Sequence, residues 1–142
     1  MNLMLWLIMG GLGVAAASLL FKKRKLTQLS NVSDDTFLTR YESKFDPSGG
    51  KVLEGRRFIA KHLGLPWQKL SPEQRFEWIS QFTGFVAEYE VGMGDLEDEL
   101  SEMYSRAGLK RPSPFPATVG EFINEMVKAN WDPESETKQA ND

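Results

Sequence analysis

Side chains able to do chemistry are concentrated in one stretch of this 142-residue chain, Asp95-Leu96-Glu97-Asp98-Glu99-Leu100-Ser101-Glu102. Carboxylates this dense suggest three chemistries: a divalent-cation site, an acid–base pair, or a surface for a basic partner. The alternating D-x-D-x-D-G of a calcium loop, with its distant glutamate, is missing. Successive residues on a helix point in different directions, so these side chains do not converge on one ion. Nothing in the spacing singles out two of them as general acid and base. A solvated helix face of unbroken negative charge suits the third role, because such a field speeds encounter with a basic protein. Between Arg75 and Arg106 stand eight acids and no base. Asp95, Glu97, Asp98, Glu99 and Glu102 are therefore the candidate partner-binding residues.

Other reactive groups are sparse. The absence of cysteine rules out disulfides, thiolate zinc sites and a cysteine nucleophile. His62 is the single histidine. It has no second histidine or cysteine with which to share a metal and no nucleophile motif around it, and it reads as a surface or half-buried residue. Gly92 and Gly94 are not followed by the lysine of a phosphate-binding loop. No catalytic, cofactor-binding or metal-ligating set emerges, and the expected class is non-enzymatic.

The elements that must position the acidic stretch read as helices throughout, an all-α chain. Ser33 or Asp34 caps a short helix with Phe37, Tyr41 and Phe45 at four-residue spacing, and Asp46-Pro47-Ser48-Gly49-Gly50 breaks it. A second helix is predicted over Lys51–Leu63, with Val52, Ile59 and Leu63 on one face, Phe58 beside them, and Arg56, Arg57 and Lys61 outward. Gly64 sits at its C-cap, before Pro66. After the connector Leu65–Leu70, Ser71-Pro72-Glu73-Gln74 has the form of a helix start, with serine as N-cap, proline first and glutamine three residues after the cap. Phe76, Ile79 and Phe82 line that helix, with Trp78 off the stripe and Thr83-Gly84 ending it. Phe85–Val91 stays open between helix and extended chain. Gly92-Met93-Gly94 then leads into a helix whose first turn holds the acids, where the dipole favours them. Its inner face is Leu96, Leu100, Met103, Tyr104 and Ala107, and Gly108 stops it. Lys110–Pro116 is a stiff connector. Thr118 to Glu121 forms a capping box before a last helix with Val119, Phe122, Ile123, Met126 and Val127 inward.

At the N-terminus, Leu3–Phe21 is nineteen residues without a charge, closed by Lys22-Lys23-Arg24-Lys25. As a helix it measures roughly 28 Å, close to a hydrocarbon slab of about 30 Å. Ala15-Ala16-Ala17 offers a signal-peptide cleavage site, but signal peptides carry their charge before the apolar run. The positive-inside rule puts the collar and all that follows in the cytoplasm, with Met1 outside. The expectation is a single-pass cell-membrane protein. Gly11/Ala15 and Gly13/Ala17 are small-residue pairs through which two copies could pack. Residues 26–142 carry 13 bases against 20 acids, which argues against nucleic acid as a partner. The chain divides into an anchor with basic collar at 1–25, a tether and short helix at 26–50, a helical bundle at 51–129 and a disordered polar tail at 130–142.

Taken as one unit, Arg57 to Val127 resembles the acyl carrier protein family, over about half of the chain. Ile59-Ala60-Lys61-His62-Leu63-Gly64 is similar to the IAxxLG-like turn that closes its first helix, and Leu70-Ser71-Pro72 to its LSP-like element. Gly94-Asp95-Leu96-Glu97 resembles the Asp-Ser-Leu opening of its acidic second helix, and Thr118-Val119 the pair introducing its last. The resemblance implies a four-helix carrier topology. It departs where the phosphopantetheine serine falls at Asp95, since a carboxylate cannot form that phosphodiester, and the segment from Pro72 to Asp95 is longer than the family's. It thus implies a carrier-like domain with no cofactor, keeping an acidic helix of the kind such domains present to basic partners. Two other readings are an active carrier modified on another serine, and a membrane assembly factor dimerising through Gly11 and Gly13.

Overall fold

The computed structural model describes residues 16–17, 20, 24–46, 49–81 and 86–134. The apolar run lies outside them apart from residues 16, 17 and 20, as do Lys22, Lys23, Gly11, Gly13, Phe82 and the tail from residue 135. Among the described residues no helix is long and apolar enough to cross a membrane. Every named element is helical: α1 (Asp34–Glu42), α2 (Gly49–Leu63), a 3-10 turn (Trp67–Lys69), α3 (Phe76–Ile79), α4 (Val86–Arg106) and α5 (Val119–Lys128).

Helix α5 buries a continuous stripe. Thr118 Oγ1 accepts from Glu121 N at 3.2 Å while Glu121 Oε2 accepts from Thr118 N at 3.2 Å, the reciprocal capping box. Val119, Phe122, Ile123 and Met126 are all fully buried. Each such side chain contributes about 1.5–3 kcal/mol by leaving water. Helix α2 packs against both α4 and α5. Three helices end alike, with a left-handed residue at Gly64, Gly108 or Asn130. In each case the next amide reaches back: Leu65 N to Ala60 O, Leu109 N to Tyr104 O, Trp131 N to Met126 O, at 2.9–3.0 Å. This double turn satisfies carbonyls that a helix end otherwise orphans. It folds Leu65 and Trp131 back into the core.

Several expectations are corrected. Ser71–Gln74 does not begin a helix, although the side-chain half of its capping box is made, Ser71 N donating to Gln74 Oε1 at 2.8 Å. The carbonyls a helix would use are taken: Gly120 N donates to Pro72 O at 2.9 Å and Val119 N to Gln74 O at 3.0 Å, while Phe76 N donates to Ala117 O at 3.0 Å. The segment instead covers the N-terminus of α5, through an isolated bridge between Arg75 and Thr118, and the helix starts at Phe76.

Gly92 and Gly94 do not precede the acidic helix but lie inside it, because α4 begins at Val86. Gly92 is where α4 touches α2: a Cβ there would stand 2.3 Å from the His62 carbonyl oxygen. The acids consequently sit mid-helix, and Asp95 is about two and a half turns from the start. The dipole argument for them does not apply.

Arg56 is not on an outer face but has no exposed surface at all. The tether and short helix expected at 26–50 do not stand apart from the bundle, although the short helix forms. Val32, Phe37 and Tyr41 belong to the same buried cluster as α2, α4 and α5, with Leu26 and Phe45 packed against it. Glycines 49 and 50 also belong to α2, within the play expected at helix ends.

Candidate functional site

The acidic residues are distributed around α4 by its 3.6-residue period. Gly92, Leu96, Leu100, Met103 and Tyr104 form the buried line. Val91, Asp95, Asp98 and Glu102, at i, i+4, i+7 and i+11, form the opposite, exposed one, and Val91 is 65% exposed. Glu97 and Glu99 fall between, half-buried. The geometry therefore separates the five candidates into an outward trio and a flanking pair.

Arginines pair with two of these acids. Arg111 Nη2, from the connector after α4, stands 3.7 Å from Glu97 Oε2, and Arg106 Nη2 3.0 Å from Glu102 Oε1 one turn below it. Ser101 Oγ donates to Glu97 O at 2.7 Å within the helix. Among the described residues no three His, Asp or Glu side chains gather as a metal site.

His62 is half-buried, its ring 4.3 Å from that of Phe58 and its Nδ1 3.0 Å from Phe58 O. Its backbone carbonyl is the atom facing Gly92. At the edge of the core, Tyr104 donates its hydroxyl to the half-buried Glu125 Oε2. Burial, then that hydrogen bond and charge, raise its pKa. Among the described residues the Tyr41 hydroxyl has no hydrogen-bond partner; burial, with Asp46 nearby, pushes its pKa up to about 12. Both stay protonated at neutral pH and are unsuited to act as bases.

The most elaborate polar arrangement surrounds Arg56. Its Nη1 donates to Asp34 Oδ1 at 3.0 Å, and its Nη2 to Val32 O at 2.7 Å and Leu70 O at 2.8 Å. The guanidinium lies 4.3 Å from the Phe37 ring centroid and 5.0 Å from that of Trp67. Arg57 Nη2 donates to the other Asp34 oxygen at 2.9 Å, so one carboxylate serves two arginines. Burial lowers the Arg56 pKa, and Asp34 works against that. No motif announces this cluster. Its only trace in the sequence is Ser33-Asp34, a cap whose acid turns out to have a distant partner.

Of the collar, Lys25 donates its ammonium to Gln81 O at 3.0 Å. Compared with protein families, with curated proteins and with solved structures, the chain matches none.

Proposed function

We propose that this chain is a non-enzymatic, single-pass membrane-anchored interaction module whose cytoplasmic helical domain docks a basic partner through the outer face of α4. The observation that supports it most directly is the exposed line Val91–Asp95–Asp98–Glu102, set on a 21-residue helix whose other side is locked into the core. A rigid helix holds its charges in fixed register, so a partner gains complementarity without first ordering the surface. Exposed charges act chiefly on encounter rate and specificity, and the exposed Val91 adds an apolar contact at one end. The domain is carrier-like by resemblance and lacks phosphopantetheine, with a carboxylate at position 95 in mid-helix. The membrane reading draws on the uncharged run Leu3–Phe21 and the collar Lys22–Lys25.

The test is crosslinking in native membranes, comparing the wild type with the combined variant Asp95→Lys, Asp98→Lys, Glu102→Lys. The helix stays intact because these side chains are outside the core, which circular dichroism checks. Loss of the crosslinked adduct is expected, together with weakening of the wild-type adduct as salt screens the charges. An adduct unchanged by charge reversal rejects the docking face. Incubation with a phosphopantetheinyl transferase is expected to leave the intact mass unchanged, and a gain of one phosphopantetheinyl group would establish the active-carrier reading instead.

A further inference from the structure

The chain between the basic collar and the core is short and already folded. Arg24 to Leu26 are helical. Thr27 Oγ1 donates to Arg24 O at 2.6 Å, Gln28 N to Lys25 O at 3.0 Å and Leu29 N to Leu26 O at 3.2 Å. Leu29 is 4% exposed, and its carbonyl accepts from Lys69 Nζ at 2.7 Å. Lys25 reaches 56 residues along the chain to the Gln81 carbonyl.

Even fully extended, the four steps from Lys25 to Leu29 would span no more than about 14 Å, and a turn spans less. The headgroup layer outside the hydrocarbon is about 5–8 Å deep on each side. A domain attached this closely has one surface at headgroup depth, the surface that Lys25 touches. Trp78 is one turn before Gln81, whose amide donates to Trp78 O at 3.1 Å. Its side chain is 41% exposed. Tryptophan settles at membrane–water boundaries because its ring is apolar and its N–H stays wet. Arg75, a turn further back, has 63% of its side chain exposed, with Glu77 4.0 Å away.

We propose that the α3 surface around Trp78 and Gln81 is a lipid-docking face that seats the domain on an anionic leaflet beside its own anchor. This rests on the reading of Leu3–Phe21 as a membrane span. The occupant is the bilayer because the apolar run ends in a cationic collar, and the last cation of that collar is fixed to this face.

The chain has no cysteine, so single substitutions accept a nitroxide label at one place each. Leu12→Cys, Gln81→Cys and Ser105→Cys are made in the full chain, labelled, and reconstituted in phosphatidylcholine vesicles containing phosphatidylglycerol. Collisions with oxygen, which favours lipid, are compared with collisions with a water-soluble nickel chelate. Labels at positions 12 and 81 are expected to favour oxygen and the label at 105 to favour nickel. Adding Trp78→Ala is expected to return the position 81 label to the nickel-favouring pattern, leaving position 12 unchanged. A position 81 label that favours nickel while position 12 favours oxygen overturns the docking face alone. A position 12 label that favours nickel overturns the anchor on which it rests. A position 81 label indifferent to Trp78→Ala overturns the part given to the indole.

Discussion

Arg56 carries its charge where water does not reach, and three oxygens from distant parts of the chain replace its hydration. Val32 and Leu70 supply backbone carbonyls and Asp34 a carboxylate. Truncating Arg56 orphans two buried carbonyls, at about 1–3 kcal/mol each, and leaves a cavity, together about 3–5 kcal/mol. Arg56→Ala is therefore expected to lower the unfolding free energy by about that amount in urea titration. Asp34→Asn keeps a hydrogen-bonding oxygen and is expected to cost less, about 1–3 kcal/mol. Equal losses for the two variants would show that the carboxylate alone stabilises the cluster. Reading Arg56 as an outer residue followed from treating charge as a marker of exposure. That holds for residues with no partner in reach. The partners here are 24, 22 and 14 positions away, beyond anything a helical period encodes.

At the scale of elements, what was legible in the sequence was what is decided within one turn. The capping box at Thr118, the cap at Ser33 and the stop at Gly108 depend on residues at most five apart, and all three form. The inward stripe of α5 is equally local, because its period follows from the helix itself. Ser71-Pro72-Glu73-Gln74 failed as a helix start for a non-local reason, since α5 claims its carbonyls. Gly92 departs in the opposite way: as a residue that weakens helices it points to a helix starting after it, whereas its missing side chain lets α4 approach the α2 backbone. The two glycines of α4 are thus expected to respond oppositely to alanine. Gly92→Ala drives a Cβ against the His62 carbonyl, with overpacking that costs about 1–3 kcal/mol. Gly94 is exposed with nothing within 4 Å of its would-be Cβ, and Gly94→Ala is expected to stabilise by up to about 1 kcal/mol. Thermal melts of both variants check the sign, and a Gly92→Ala protein as stable as the wild type would refute the close approach.

On the scale of the whole molecule, the bundle is closed by residues far outside the boundaries that hydrophobic periodicity suggested. Phe37 and Tyr41 are fully buried, and Leu29 and Trp131 nearly so. A fragment beginning at residue 47 loses Leu29, Val32, Phe37 and Tyr41 and leaves Arg56 without two of its three partners. It is expected to unfold without a cooperative transition, whereas residues 24–134 should give one with a urea slope of about 1–3 kcal/mol/M. A sharp transition in the short fragment would return α1 to the status of an appendage. The burial of α5 has a further consequence for how the polypeptide is made. Phe122 and Ile123 complete the core, yet they leave the ribosome some 70 positions after Val52. At about 5–20 residues per second, α2 waits roughly 4–15 s for them. Nascent chains that stall before Met126 would carry their apolar faces uncovered, exposed to chaperones and proteases for as long as the pause lasts.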